Sequence, residues 1–237
     1  MKAILASQNT HKAEEFAASL PGIQISVSPV PVDVEENADS FIGNAQLKAR
    51  GYAKQLNCNA LADDSGLCVD YLNGLPGIYS ARYAMLPPDI DMDSDRTAAN
   101  NRKLLRALND VPESQRTAHF CCALCLVIVE PNDLKYLYSS SIEDKSIQFY
   151  DVMDNVISKS EINTRRADIV RAEICVLGRA DGHILTNLAG TGGFGYDPLF
   201  YSHEANCTFA ELPQAQKMMV SHRGHAIQML KSIVDRF

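Results

Sequence analysis

KAILASQNTHKAEEFAASL, residues 2–20, is the stretch from which the fold class is read. KAILA is a short apolar run and reads as a buried strand. Ser7 to His11 is a polar loop, and a helix follows from Lys12 to about Leu20. The chain keeps this alternation of strands and helices, the pattern of an α/β fold. Pro21, Pro29 and Pro31 punctuate an extended segment. After Asp39 the residues Phe41, Ala45, Ala49, Ala53 and Leu56 recur at spacings of three and four, which predicts a helix with Asp39 or Ser40 as its N-cap. ALADDSGLCV, residues 60–69, predicts a strand that breaks at two carboxylates and a glycine. Asn73 to Tyr83, with Gly74, Pro76 and Gly77, reads as loop. A helix at about Ser94–Leu108, a long strand Thr117–Val129, and strands near Glu173–Leu177 and His183–Leu188 come next. Ala226, Met229, Leu230, Ile233, Val234 and Phe237 form the stripe of a final amphipathic helix. With no internal repeat and no Gly/Ser linker, residues 1–237 are expected to form a single domain of one or two lobes.

The bulk numbers exclude several functions. A net charge of -7 argues against a broad nucleic-acid surface, which needs excess Lys and Arg, but leaves room for a compact anion site. The opening MKAILASQNT is too short for a signal peptide, and the longest apolar stretch, Cys121 to Val129, is far below bilayer length. The expectation is a cytoplasmic protein without a membrane anchor. Seven cysteines are expected to be reduced. Cys122 and Cys125 spell CxxC, yet residues three apart on a strand point to opposite faces, so they read as core rather than as a zinc or redox pair.

Several short segments carry chemistry. Asp63-Asp64-Ser65-Gly66 closes a buried strand, where two carboxylates are costly to desolvate unless a cation compensates them. A divalent ion of the Mg²⁺ kind, which takes carboxylates, phosphate oxygens and water, is the natural partner. Glu35-Glu36 offers a second acidic pair whose meaning depends on Asp64. Ser7-Gln8-Asn9-Thr10-His11-Lys12 joins a strand to a helix N-terminus, where free N–H groups, the helix dipole and Lys12 can cradle phosphate. Gly190-Thr191-Gly192-Gly193-Phe194-Gly195 matches GxGxxG, but Tyr196-Asp197-Pro198 continues as extended chain. The dinucleotide fingerprint is therefore rejected. The glycines instead shape a loop that presents Phe194 for stacking on a base, with Asp197 able to accept from a base edge. Lys217, His222 and Arg223 bring cations to the approach of the last helix, suited to carbonyl or phosphate oxygens.

Together, ASQNTHKAEEF, the EE before FIGNAQLKAR, ALADDSGLCVDYLNGLPGIYSARY, GTGGFGYDPLF and AELPQAQKMMVSHRGHA resemble, in order and over nearly the whole chain, the inosine triphosphate pyrophosphatase family. The resemblance implies an elongated mixed sheet flanked by helices, two lobes with a central substrate cleft, and a homodimer. It implies hydrolysis of ITP, dITP and XTP to monophosphate and pyrophosphate. It assigns the triphosphate to Ser7, Gln8, Asn9, Thr10, His11 and Lys12, Mg²⁺ to Glu35 (or its neighbour Glu36) and Asp64, and the general base to Asp64. Substrate contacts fall to Ser65, Phe194, Gly195, Tyr196, Asp197, Lys217, His222 and Arg223. Two departures stand out. Gly43 occupies a position where the family often carries Glu, and residues 138–172 resemble nothing in compact members. That insertion is expected to be a surface hairpin or helix, an altered dimer contact, or a lid. A pyrophosphatase for other modified nucleotides and a weakly active nucleotide sensor are the alternatives.

Overall fold

The structure, a computed structural model, describes residues 1–139, 144–151, 153–158 and 169–236. Among these residues nine strands pair in the order β2-β1-β3-β4-β7-β5-β6, with β8 on β7 and β9 on β8. They are β1 Lys2–Leu5, β2 Gln24–Val27, β3 Ala60–Val69, β4 Thr117–Ile128, β5 Ile147–Asp151, β6 Val156–Ile157, β7 Ile169–Ile184, β8 Phe200–Ser202 and β9 Cys207–Thr208. β1 pairs parallel with β2 and β3, whereas β5, β7, β8 and β9 pair antiparallel, so the sheet is mixed. Six α-helices among the described residues accompany it: α1 Thr10–Ser19, α2 Phe41–Leu56, α3 Arg96–Ala107, α4 Pro131–Ser139, α5 Gln214–Val220 and α6 His222–Val234.

The chain divides into two compact units. The first comprises Met1–Asp64, Ala123–Leu177 and Ala226–Phe237. Its core sets Ala45, Ala49 and Ala53 of α2 against Ala60, Ala62, Ala123 and Val127 of the sheet. Small side chains let the helix lie close, and Ser40 Oγ caps it by accepting from Gly43 N–H at 3.2 Å. Asn57, left-handed at φ 50°, ends it. Gly43 has a local reason: a Cβ there would stand 2.7 Å from that of Ala38. At Gly51 an added Cβ would meet Val34 Cγ2 at 2.5 Å, so glycine lets the 30–34 segment cross the helix.

The second unit comprises Ser65–Cys122 and Gly178–His225. Its core gathers Leu67, Leu104, Leu108, Phe120, Tyr196, Phe200 and Phe209. Phe120 lies edge-on to Phe200 at 4.8 Å and stacks on His222 at 4.6 Å. Arg116 is buried there, donating to the carbonyls of Leu108, Val111 and Leu185 and so closing the end of α3.

Several sequence expectations need correction. β3 does not break at Asp63 and Asp64 but runs through them. Residues 173–177 and 183–188 are not two strands. β7 continues from Ile169 to Ile184 because Ala180, Gly182 and Ile184 face inward while Arg179 and Asp181 face out, and β8 pairs with its end. The 73–83 loop contains most of a 3-10 stretch, Gly77–Met85. The last helix begins at His222, so His222 and Arg223 sit in its first turn. Of the 138–172 insertion, 140–143, 152 and 159–168 lie outside the described residues. The rest holds the end of α4, the start of β7 and, between them, β5 and β6, an antiparallel pair of which β5 also borders β7. Phe237 of the final stripe is likewise outside the described residues.

Candidate active site

In the first unit, β3 and two helices build a carboxylate site. The connection through α1 leads outward from β1 to β2, and the one through α2 leads back to β3, so right-handed crossovers put the helices on opposite faces of the sheet. Successive strand side chains do the same. Asp63 accordingly meets Lys12 of α1, Nζ to Oδ1 at 2.5 Å, while Asp64 accepts from Asn44 Nδ2 of α2 at 3.2 Å. Asn44 is held in that orientation because its Oδ1 accepts from Ala38 N–H. The doublet is therefore not a two-carboxylate ligand. Asp63 is neutralised by Lys12, and Asp64 has no ion pair among the described residues.

Burial pushes the Asp64 carboxyl above the ordinary aspartate range, aided by the charges of Glu36 and Asp63. The Asn44 hydrogen bond and the Lys48 charge oppose the shift. Glu36 pairs with Lys48 at 2.8 Å, and Lys48 also donates to the Asp63 carbonyl. Glu36 thus belongs to the Asp64 environment. Glu35 is exposed, with no hydrogen bond or ion pair among the described residues. An incompletely compensated carboxylate with a second acid nearby is an all-oxygen donor set, which fits a hard divalent cation.

The loop before α1 is ordered by its own side chains. Ser7 Oγ accepts from Asn9 N–H, and Asn9 Oδ1 caps the helix by accepting from Lys12 N–H, both at 3.1 Å. The helix starts at Thr10, two residues earlier than the sequence suggests, so Thr10, His11 and Lys12 form its first turn. Gln8 and Thr10 are exposed, and no acidic residue occupies that turn.

The second unit holds a pocket of about 290 Å³. Ser65, Asn100, Phe194, Gly195, His222 and Arg223 are among its lining residues. Ser65 Oγ is buried without a hydrogen-bond partner among the described residues. Phe194 is 62% exposed, unusual for so large a ring, and Lys217 Nζ and Arg223 Cζ lie 4.6 and 5.9 Å from its centroid.

The loop carrying Phe194 is fastened by Asp197, whose Oδ2 accepts from Phe194 N–H at 2.7 Å and from Lys217 Nζ at 2.5 Å. The buried Asp197 and Lys217 therefore spend these contacts on each other and on the loop. Gly193 must be glycine here: at φ 72° its added Cβ would meet that same Oδ2 at 2.1 Å. Tyr196 is buried and donates to the Ser80 carbonyl, while Gly195 C=O accepts from Asn101. Sequence reading missed Arg96, Thr97 and Asn100 of α3, which also line the pocket. The exposed start of a capped helix gave no signal of a ligand wall.

The Ham1 family model matches residues 3–145 and 139–233, the two stretches meeting inside the 138–172 insertion. The chain is 41% identical over 231 residues to a dITP/XTP pyrophosphatase of Pseudomonas syringae pv. tomato, covering 96% of this chain and 94% of the relative. It is 39% identical to a dITP/XTP pyrophosphatase of Desulforamulus reducens, covering 100% and 96%. Among solved structures, a HAM1 protein from Coxiella burnetii aligns over 100% of both chains with a TM-score of 0.72 and 30% identity.

Proposed function

The chain belongs to the Ham1 family, and from that membership we propose that it is a nucleoside-triphosphate pyrophosphatase. It hydrolyses non-canonical purine nucleotides (ITP, dITP and XTP) to the monophosphate and pyrophosphate. The relatives named dITP/XTP pyrophosphatase support this substrate class. The observation that carries the reading is the half-buried carboxylate of Asp64, without an ion pair among the described residues, followed directly by the Ser65 hydroxyl, which has no hydrogen-bond partner among them.

Asp64 and the Glu35–Glu36 pair hold the metal, with Glu36 favoured by its electrostatic action on Asp64. Bound Mg²⁺ would supply charge neutralisation on the phosphates. Asp64 orients the attacking water and takes its proton. Asn44, held through Ala38, fixes the carboxylate in place. The α1 N-terminus, from Ser7 to Lys12, binds phosphate through the helix dipole and the N–H groups that the Ser7 and Asn9 side chains leave uncapped, those of Gln8 and Thr10 among them. Lys12 would exchange part of its contact with Asp63 for a phosphate oxygen.

In the second unit, Phe194 stacks on the base, while Ser65, His222 and Arg223 supply polar contacts. Asp197 and Lys217 keep the Phe194 loop in position. Donors around a 6-oxo group leave an adenine amino group unmatched, which gives the purine preference.

We assign residues 1–237 to one catalytic domain acting in the cytoplasm as a homodimer. No helix among the described residues is long and apolar enough to cross a membrane. Light scattering on the purified chain tests the dimer, and twice the chain mass is the expected result. Pyrophosphate release with Mg²⁺ from ITP, dITP, XTP, ATP, GTP and pyrimidine triphosphates tests the activity. Preference for the first three is expected, and uniformly low rates would overturn it.

A further inference from the structure

A second group of ligating side chains stands in the second unit, on β3 and its neighbour β4. Cys68 of β3 and His119 and Cys121 of β4 bring their ligand atoms within 4.8 Å of one another. His119 and Cys121, two apart on a strand, face the same side. Asp70, two residues beyond Cys68, places Oδ1 3.8 Å from His119 Nδ1. That separation is too long for a hydrogen bond, and this nitrogen is buried with no hydrogen-bond partner among the described residues. It does suit two ligands of one ion: donors at about 2.0–2.3 Å from a tetrahedral centre stand about 3.3–3.8 Å apart.

We infer that Cys68, His119 and Cys121 form a binding site for a zinc-class divalent cation, distinct from the Mg²⁺ carboxylates, with the exposed Asp70 side chain, which stands outside that 4.8 Å group, rotating in as the fourth ligand. The donor set makes the distinction. Thiolate and imidazole favour Zn²⁺, whereas Mg²⁺ takes oxygen. Two thiolates and a carboxylate exceed the charge of a divalent ion by one; the Arg179 guanidinium acts electrostatically on both sulfurs, but it is itself paired with Asp181 at 2.7 Å, so the loaded site keeps a net negative charge. Half-buried Cys68 and exposed Asp70 leave an entry path. The CxxC at Cys122 and Cys125 takes no part. Cys121, one residue before it, holds the site instead, because adjacent strand residues face opposite sides.

The test uses the full chain, reduced and stripped with chelator, then exposed to Zn²⁺ in excess Mg²⁺ and gel-filtered. One retained equivalent per chain, measured by elemental analysis, is expected. Co²⁺ in its place should give tetrahedral d–d bands and a thiolate-to-cobalt charge-transfer band. Cys68→Ser/His119→Gln should lose the equivalent, Cys207→Ser should keep it, and Asp70→Asn should weaken binding by about tenfold or more. Circular dichroism reports whether the double variant folds, and where it does not, the wild-type cobalt spectrum decides. An octahedral spectrum, metal retained by the folded double variant, or a reduced protein that takes up no zinc and only forms a Cys68–Cys121 disulfide in air would each overturn the assignment.

Discussion

Asp64 carries opposite demands for stability and chemistry. Burial raises its folded pKa above the unfolded value, so its ionised form costs stability that the protonated form does not. The contribution is fully present below the ordinary aspartate range and is lost as pH rises through the folded pKa. Asp64→Asn removes that loss, since an amide can still accept from Asn44. The metal-free variant should therefore melt higher than wild type at neutral pH, with the difference vanishing in acid, while turnover falls nearly to zero. Calorimetry across pH, paired with pyrophosphate release, checks both; near-normal turnover would remove Asp64 as base. Phe194 makes a separable claim. A ring stacked on a base is worth about 1–3 kcal/mol, which corresponds to about 5- to 150-fold in affinity. Phe194→Ala should raise KM within that range and alter kcat little, and an unchanged KM would remove the ring from the base site.

Among the elements, the hairpin of β5 and β6 is tied down by one buried charge. Glu173 of β7, fully buried, accepts from Arg50 Nε at 2.6 Å, Arg50 Nη2 at 2.9 Å and Gln46 Nε2 at 3.1 Å, and forms an ion pair with Arg171, Nε at 2.6 Å. Both arginines also lie against the Tyr150 ring of β5. Deleting the carboxylate leaves two cations facing a buried gap, a change that typically costs about 3–5 kcal/mol. Glu173→Ala should lower the urea midpoint accordingly, and a shift below about 1 kcal/mol would show the network to be dispensable.

This network also marks where sequence reading stops. The stripe of α2 and the strand–loop–helix start were legible because their partners lie a few residues away. β3 was read as ending at Asp63 because an acidic doublet opposes strand formation. What sustains it there is Lys12 on one face and Asn44 on the other, and such pairings exist only once the chain has folded. The Cys68–His119–Cys121 group was invisible for the same reason, its members lying on different strands.

At the level of the molecule, each compact unit is assembled from separated stretches of chain. Residues 65–122 alone lack Tyr196, Phe200 and Phe209, which close the aromatic core around Phe120. The isolated 65–122 fragment should be unfolded by circular dichroism and gain structure only when 178–225 is supplied in trans or by a linker. A stably folded fragment would show the core to be overdetermined. The sheet order carries another consequence. Among the described residues its edge strands are β2, four residues long and followed by Pro29 and Pro31, and β6 and β9, two residues each. None of these described edges offers the long flat row of unpaired amides that templates fibril growth, and proline at the β2 exit withholds amide donors where that strand would lengthen. Self-association by strand addition at these edges is thereby disfavoured.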